Sequence, residues 1–172
     1  MHKYLKFCKD YNTQIALIVL FLFFTIGVLG TKHYQYNAMD NKHTNLTLQY
    51  LFLNNSGYFL LLLTSCLYLN ISTYPLIAYN SFFWGSIFKQ VLCNANLSKA
   101  LILFLPHGFF EIVWIVVITN ASTKIAVIIY EVFNNNKKYF IQTKKLVLTI
   151  LIACSFLILG VLVEYFITTK FL

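Results

Sequence analysis

The sequence has few charged residues and no arginine, and both absences restrict what the protein can be. Only 10% of its 172 residues are charged and 59% are hydrophobic, whereas a soluble domain carries about 25% charged residues. Water does not solvate a surface this poor in charge, so lipid must be the solvent for much of it. The 13 lysines stand between apolar blocks without forming a compact basic patch, which argues against a nucleic-acid partner.

Several familiar motifs are also missing. The chain has no P-loop, no Rossmann glycine run and no kinase motif, so no recognised device for binding ATP is present. Its four cysteines form no CxxC pair, and neither a zinc ribbon nor a disulfide framework is expected. No small-x-small cleavage site follows the first apolar run, which therefore resembles a retained signal anchor.

Long apolar runs dominate what is there. About 20 apolar residues cross the hydrocarbon core of a bilayer as a helix, and the chain has five runs of about this length. They predict an all-α integral membrane bundle of five transmembrane helices in a single domain, residues 1–172. Residues 54–57 interrupt the second run with polar groups and glycine, which indicates a kink or a later helix start. The predicted spans are residues 15–30, 48–69, 74–93, 100–119 and 146–168.

The segment between the fourth and fifth spans, residues 120–145, is expected to be a connector. Its middle, residues 125–133, is apolar but too short to span, and polar residues stand on both sides of it. This pattern predicts a short interfacial helix on the membrane surface. The alternative is that the fourth helix simply continues beyond the membrane.

Lysine positions predict the topology. Lys3, Lys6 and Lys9 precede the first span, and five further lysines lie in residues 120–145. With five spans these two segments fall on one side, which the positive-inside rule assigns to the cytoplasm. We therefore expect a multi-pass protein of a bacterial cell membrane with a cytoplasmic amino terminus.

Ionisable residues inside a membrane span are costly and usually mark function or an internal pair. His107, Glu111 and Glu164 are such residues here, and Asn80 adds an amide in the third span. His107 and Glu111 are four residues apart, so they share one face of the fourth helix. We expect them to meet Glu164 in the outer half of the bilayer.

Proline and glycine near these residues predict local backbone effects. Pro106 removes one helical hydrogen bond, and Gly108 would let another backbone come close. Gly85, in the third span, would allow the same tight helix packing.

Three roles remain open for this polar group. It is a buried cluster that fixes helix packing, as interhelical hydrogen bonds do in membrane bundles. Alternatively, His107, Glu111 and Glu164 hold a divalent metal such as zinc, although their spacing is not that of an HExxH site. The third role is acid–base work without a metal, such as proton relay or activation of water by a carboxylate.

Three segments together resemble the stage II sporulation protein M family of bacterial membrane proteins. Pro106-His107-Gly108-x-x-Glu111 resembles the signature of that family. Residues 80–85, Asn-Ser-Phe-Phe-Trp-Gly, resemble its Asn-Gly-x-x-x-Gly segment, with serine in place of the first glycine. Residues 163–168, which include Glu164 and end at Thr168, resemble its closing Ile-Glu-Ala-Phe-Ile-Thr. The resemblance covers roughly residues 70–172, and the first two spans match only in hydropathy.

The resemblance implies a multi-span membrane protein that works with partners. Family members act with peptidoglycan-degrading proteins in engulfment during sporulation. Small members accompany ABC transporters and the genes of circular bacteriocins, where they are implicated in peptide maturation or secretion. The shortness of this chain favours the second type. The partners implied are lipid, other membrane proteins such as an ABC transporter and a hydrophobic peptide, with a homo-oligomer as a further option. The alternatives are a membrane-embedded peptidase or peptide cyclase that uses His107, Glu111 and Glu164, and a scaffold for engulfment.

Overall fold

The protein is a bundle of long helices. The structure, a computed structural model, describes the backbone of residues 2–31, 47–68, 70–94, 96–133 and 143–171, and the side chains of residues 11–31, 47–68, 70–94, 96–133 and 145–167. Within these ranges the chain forms α-helices and one short 3₁₀ helix, without strands, which confirms the all-α prediction. The elements are α1 (His2–Gly30), α2 (Leu48–Thr64), the 3₁₀ helix (Ser65–Tyr68), α3 (Thr73–Asn94), α4 (Leu97–Phe133) and α5 (Thr143–Phe171).

Four stretches in the described part of the chain are long and apolar enough to cross a membrane. They are Tyr11–Gly30, Leu48–Tyr68, Leu97–Phe133 and Lys145–Ile167. Helix α3 has 22 residues, about 33 Å at 1.5 Å per residue, but it carries Asn80, Lys89 and Gln90 and is less apolar than the other four. Large apolar side chains face outwards, for example Leu29 with 79% of its surface exposed. An exterior of this kind suits contact with lipid.

Local capping explains where two helices begin. The Thr47 hydroxyl accepts a hydrogen bond of 3.2 Å from the Tyr50 amide at the start of α2. The Asn96 side chain accepts one of 2.7 Å from the Lys99 amide at the start of α4. Both residues thus satisfy amides that have no partner within the helix. Pro75 lies in the first turn of α3, where no intrahelical amide bond is lost.

Helix α4 runs without a break from Leu97 to Phe133, a length of 37 residues. The separate interfacial helix predicted within residues 120–145 is therefore wrong, and the alternative of a continuing fourth helix is what the structure has. Of the polar residues at the start of this segment, Ser122 and Thr123 are buried and Asn120 is half-buried. Residues 134–142 of the predicted connector lie outside the described residues.

Helix α4 is the centre of the bundle, because it contacts α1, α2, α3 and α5. It contributes Trp114, Ile115 and Ile118 to the core, each at most 1% exposed. Leu62 of α2 and Ile77 of α3 join the same core. Burial of such side chains stabilises a bundle mainly through close packing when the surroundings are lipid.

Helices α1 and α3 lie side by side and run in the same direction. The Tyr74 hydroxyl donates a hydrogen bond of 2.9 Å to the Asn12 amide oxygen at one end of the pair. The Thr31 hydroxyl donates one of 2.8 Å to Ser86 at the other end. Between these bonds the two backbones come into contact, which positions α3 and its Asn80.

A second set of polar contacts ties the end of α2 and the start of α3 to the middle of α4. We call it the hydroxyl–amide network; its members are Ser65, Asn70, Thr73, Ser122 and Thr123. The Ser122 hydroxyl lies 2.9 Å from the Ser65 hydroxyl and donates to the Asn70 amide oxygen at 2.8 Å. The Asn70 amide donates to Thr123 at 2.7 Å. All five residues are buried, so the network fixes how these three segments meet.

Candidate functional site

The polar residues predicted to act together line one cavity. This polar cavity has a volume of about 600 Å³ and lies among α2, α3, α4 and α5. Asn80, His107, Glu111 and Glu164 all contribute to its wall. The volume falls in the range of about 300–1,000 Å³ that is usual for ligand cavities. Aromatic and aliphatic side chains form the rest of the wall, including Tyr79, Phe83, Trp84, Ile87 and Phe104.

Glu111 is the most deeply buried ionisable residue of this cavity, with 6% of its surface exposed. Its carboxyl is close enough to Glu164 for the two groups to interact electrostatically. Two neighbouring carboxyls in a low-dielectric space repel one another when both are charged. The cavity is therefore suited to a proton or a cationic group that balances them.

Glu164 has a defined neighbour on α2. The Asn55 side chain lies beside its carboxyl, and the Asn55 amide donates to the Leu51 carbonyl at 3.1 Å. Asn55 therefore links a turn of α2 to the carboxyl on α5. Both side chains line the polar cavity.

His107 lies beside the carboxyls with one ring nitrogen unsatisfied. Its buried Nδ1 atom has no hydrogen-bond partner of acceptable geometry among the described residues, although the Leu103 carbonyl lies one turn earlier on α4. The Phe104 ring packs against the imidazole with 5.6 Å between centroids. A buried polar atom without a partner is costly, so this nitrogen is a natural contact for a ligand.

Tyr58 adds a second unsatisfied polar atom close to Glu111. The two residues interact electrostatically, and within the described part of the chain the buried Tyr58 hydroxyl has no hydrogen-bond partner. Its ring packs edge-on against Trp114 at 5.7 Å, which holds it in place. The hydroxyl is therefore presented to the carboxyl without being committed to another group.

Four residues at or beside this site could not be recognised in the sequence as part of it: Tyr50, Asn54, Asn55 and Tyr58. Asn54 and Asn55 were read only as an interruption of the second span, but they belong to the wall of the polar cavity. Two adjacent amides inside an otherwise apolar helix are themselves a signal, because each needs a partner within the membrane. That signal could have placed α2 beside the other polar residues.

The remaining predicted residues have different surroundings. Helix α4 continues through Pro106. Gly108 was expected to let another backbone come close, and this prediction is wrong, because a Cβ placed there would meet nothing within 4 Å. It instead borders empty space beside α1. Gly85 lies in close contact with α1. The side chain of Thr168 lies outside the described residues.

The geometry gives little support to a metal centre. Among the described side chains, no three histidine, cysteine, aspartate or glutamate residues are grouped so that they could hold one ion. His107, Glu111 and Glu164 share a cavity without converging on one point. Zinc sites use three or four protein ligands at bonding distance, so we derive no step through a metal.

A comparison with protein-family models now decides the family. The model described as Stage II sporulation protein M matches residues 15–169. The chain belongs to this family. Comparison with curated proteins and with solved structures gives no significant match.

The family match extends the resemblance seen in the sequence. Motifs had supported it only from about residue 70, whereas the match begins at Ile15, in α1. The match therefore covers all or most of the length of every described α-helix except α1, of which it includes residues 15–30, and it includes the whole wall of the polar cavity. The protein is a multi-helix membrane protein of the stage II sporulation protein M family.

Proposed function

We propose that the protein receives a hydrophobic peptide within the membrane and assists its maturation or secretion together with partner membrane proteins, such as an ABC transporter. One observation carries the proposal: an intramembrane cavity that combines two carboxyls with amides and apolar walls. Two other polar groups in the described part of the chain are occupied by their own hydrogen bonds: the hydroxyl–amide network, and the group of Asn12, Thr13, Tyr74 and Asn120.

The amides of the cavity favour a peptide as the ligand. A peptide inside lipid must satisfy its backbone N–H and C=O groups, and each unsatisfied group costs several kcal/mol. Asn54, Asn55 and Asn80 line the cavity, and each amide can both donate and accept. The exposed apolar side chains Phe83 and Ile87 stand at its border, which allows entry from the lipid.

Orientation in the membrane is part of the proposal. We infer a cytoplasmic amino terminus from the lysines that precede α1 and those between α4 and α5. A ligand would then reach the polar cavity from the bilayer. The carboxyl-terminal end of α4 would extend on the cytoplasmic side.

The test is production of the peptide in a host that carries this gene and the genes that flank it. Mass spectrometry of the medium should find a mature peptide with the wild-type protein. We expect at least a tenfold loss with Glu164→Gln, and no loss with Glu131→Gln, a glutamate of α4 outside the cavity. Equal release from both variants would contradict the proposal, provided that immunoblots show equal amounts of protein in the membrane.

A second function, acid–base chemistry on the bound peptide, is favoured by the unsatisfied atoms of His107 and Tyr58 near Glu111. The protein would then be a peptidase or cyclase of the membrane. His107→Ala distinguishes the two functions in the same assay. Accumulation of an unprocessed precursor inside the cell supports chemistry, whereas normal processing with reduced release supports binding and transfer alone.

A further inference from the structure

A second cavity adjoins the polar one and has the opposite character. This apolar cavity, of about 430 Å³, lies among α1, α3 and α4 and is lined by aromatic and aliphatic side chains such as Phe24, Phe88 and Leu105. Gly108 also lines it, and the missing side chain leaves open space there. Phe109, another lining residue, is 60% exposed, so the apolar cavity opens towards the lipid.

Two aromatic residues separate the cavities. Trp84 of α3 and Phe104 of α4 line both of them. The Phe104 ring contacts His107 on one side, with 5.6 Å between centroids, and Phe88 on the other, at 5.3 Å. A ligand group in the polar cavity and an apolar group in the other would therefore lie on opposite sides of this aromatic pair.

Charge decides which group suits the polar cavity. The protein has a net charge of +8, yet none of the described residues that line this cavity is a lysine, and two are glutamates. Glu111 is buried and lines the cavity together with Glu164. An ammonium group has three donors and no acceptor, so it can meet both carboxyls and an amide oxygen at once. Pairing would also remove the repulsion between the carboxyls.

We propose, on the basis of the function proposed above, that the two cavities together select a peptide segment with a lysine beside a bulky apolar residue. The lysine ammonium lies between Glu111 and Glu164, and the apolar side chain fills the space at Gly108. Trp84 and Phe104 separate the two side chains. A peptide is favoured over a lipid because Asn54, Asn55 and Asn80 line the same cavity and pair with backbone groups that an acyl chain lacks.

Photo-crosslinking of the full-length protein in phosphatidylcholine nanodiscs tests this selection. The probe is a synthetic ten-residue peptide of leucine and alanine that carries one lysine next to one benzoylphenylalanine. Its control has norleucine in place of the lysine. We expect crosslinks on α3 or α4 near Trp84 and Phe104, with at least a fivefold lower yield from the norleucine peptide. This comparison uses the wild-type protein, so it does not depend on how any variant folds.

Matched variants then test the polar cavity and the apolar cavity separately. Glu111→Gln combined with Glu164→Gln should lower the yield of the lysine peptide to that of the norleucine peptide, whereas Glu131→Gln should not. Gly108→Leu should lower the yield at least fivefold. Gly57→Leu should leave it unchanged, because Gly57 has the same open surroundings and lines neither cavity.

The outcomes separate this inference from the proposed function. Equal yields at the cavities from the lysine and norleucine peptides would overturn the charge selection and leave peptide binding intact. Crosslinks that never map to residues of either cavity would overturn both. Loss of the lysine-peptide crosslink when phosphatidylethanolamine replaces phosphatidylcholine would assign the site to a lipid ammonium, which also overturns the inference.

Discussion

Gly27 of α1 and Gly85 of α3 bring these two helices together backbone to backbone. A Cβ on Gly85 would lie 2.9 Å from the Val28 nitrogen and 3.0 Å from the Phe24 carbonyl carbon. A Cβ on Gly27 would lie 3.1 Å from the Gly85 Cα atom. Only glycine fits at both positions, and small residues are the usual means by which membrane helices approach this closely.

We predict that Gly85→Val separates α1 from α3 and destabilises the bundle. The added carbons would meet backbone that cannot move away, so the cost should reach or exceed the 1–3 kcal/mol that is typical of overpacking. The measurement is the thermal unfolding of purified protein in detergent. Gly57→Val is the control, because a Cβ at Gly57 meets nothing within 4 Å; equal melting temperatures for the two variants would contradict the close crossing.

Ser122→Ala should also destabilise the protein, through the hydroxyl–amide network. The Ser122 hydroxyl is buried and contacts Ser65, Asn70 and the Leu63 carbonyl. Its removal leaves buried partners unsatisfied, at a cost of about 1–3 kcal/mol. Ser155→Ala is the matched control, because Ser155 is exposed and bonds only the Leu151 carbonyl of its own helix. The network would lose its assigned role if both variants unfold alike.

This network shows why part of the fold could not be predicted from sequence. Asn120, Ser122 and Thr123 are polar residues after an apolar run, and locally they indicate a helix end. The structure packs them against other segments: Asn12 donates to Asn120 at 2.9 Å, and Ser65 lies beside Ser122. Partners more than 50 residues away decide that α4 continues, and no local pattern contains them. Hydropathy is a local property of the sequence, and it was sufficient to predict that the helices exist.

The candidate site, like the fold, could be predicted only in part from the sequence. His107 and Glu111 could be paired from their spacing on one helix, and Glu164 could be added because a glutamate within a span needs a partner. The adjacent amides of Asn54 and Asn55 could have placed α2 near these residues, but the position of Asn55 beside Glu164 could not be assigned, since it depends on how α2 packs against α5. The function of Gly108 was also misjudged, because sequence does not distinguish a glycine that admits a backbone from one that borders empty space.

Topology gives a third prediction. If the lysine distribution sets the orientation, the segment between α4 and α5 is cytoplasmic and the region between α1 and α2 is on the opposite side. A variant without native cysteines, given one cysteine at Asn135, should react with a membrane-impermeant maleimide only after the cells are opened. A cysteine at Asn41 should react in intact cells. The reverse pattern would contradict the inferred orientation.

The central claim is that the polar cavity carries the function and does not serve only to hold the helices together. The direct measurement is a paired one on Glu111→Gln: its melting temperature in detergent and the amount of mature peptide that cells release with it. Neutralising a buried, repelled carboxyl should leave stability unchanged or higher, so we predict a melting temperature at or above that of the wild type and at least a tenfold loss of release. Normal release together with a lowered melting temperature would contradict the claim and assign Glu111 to packing.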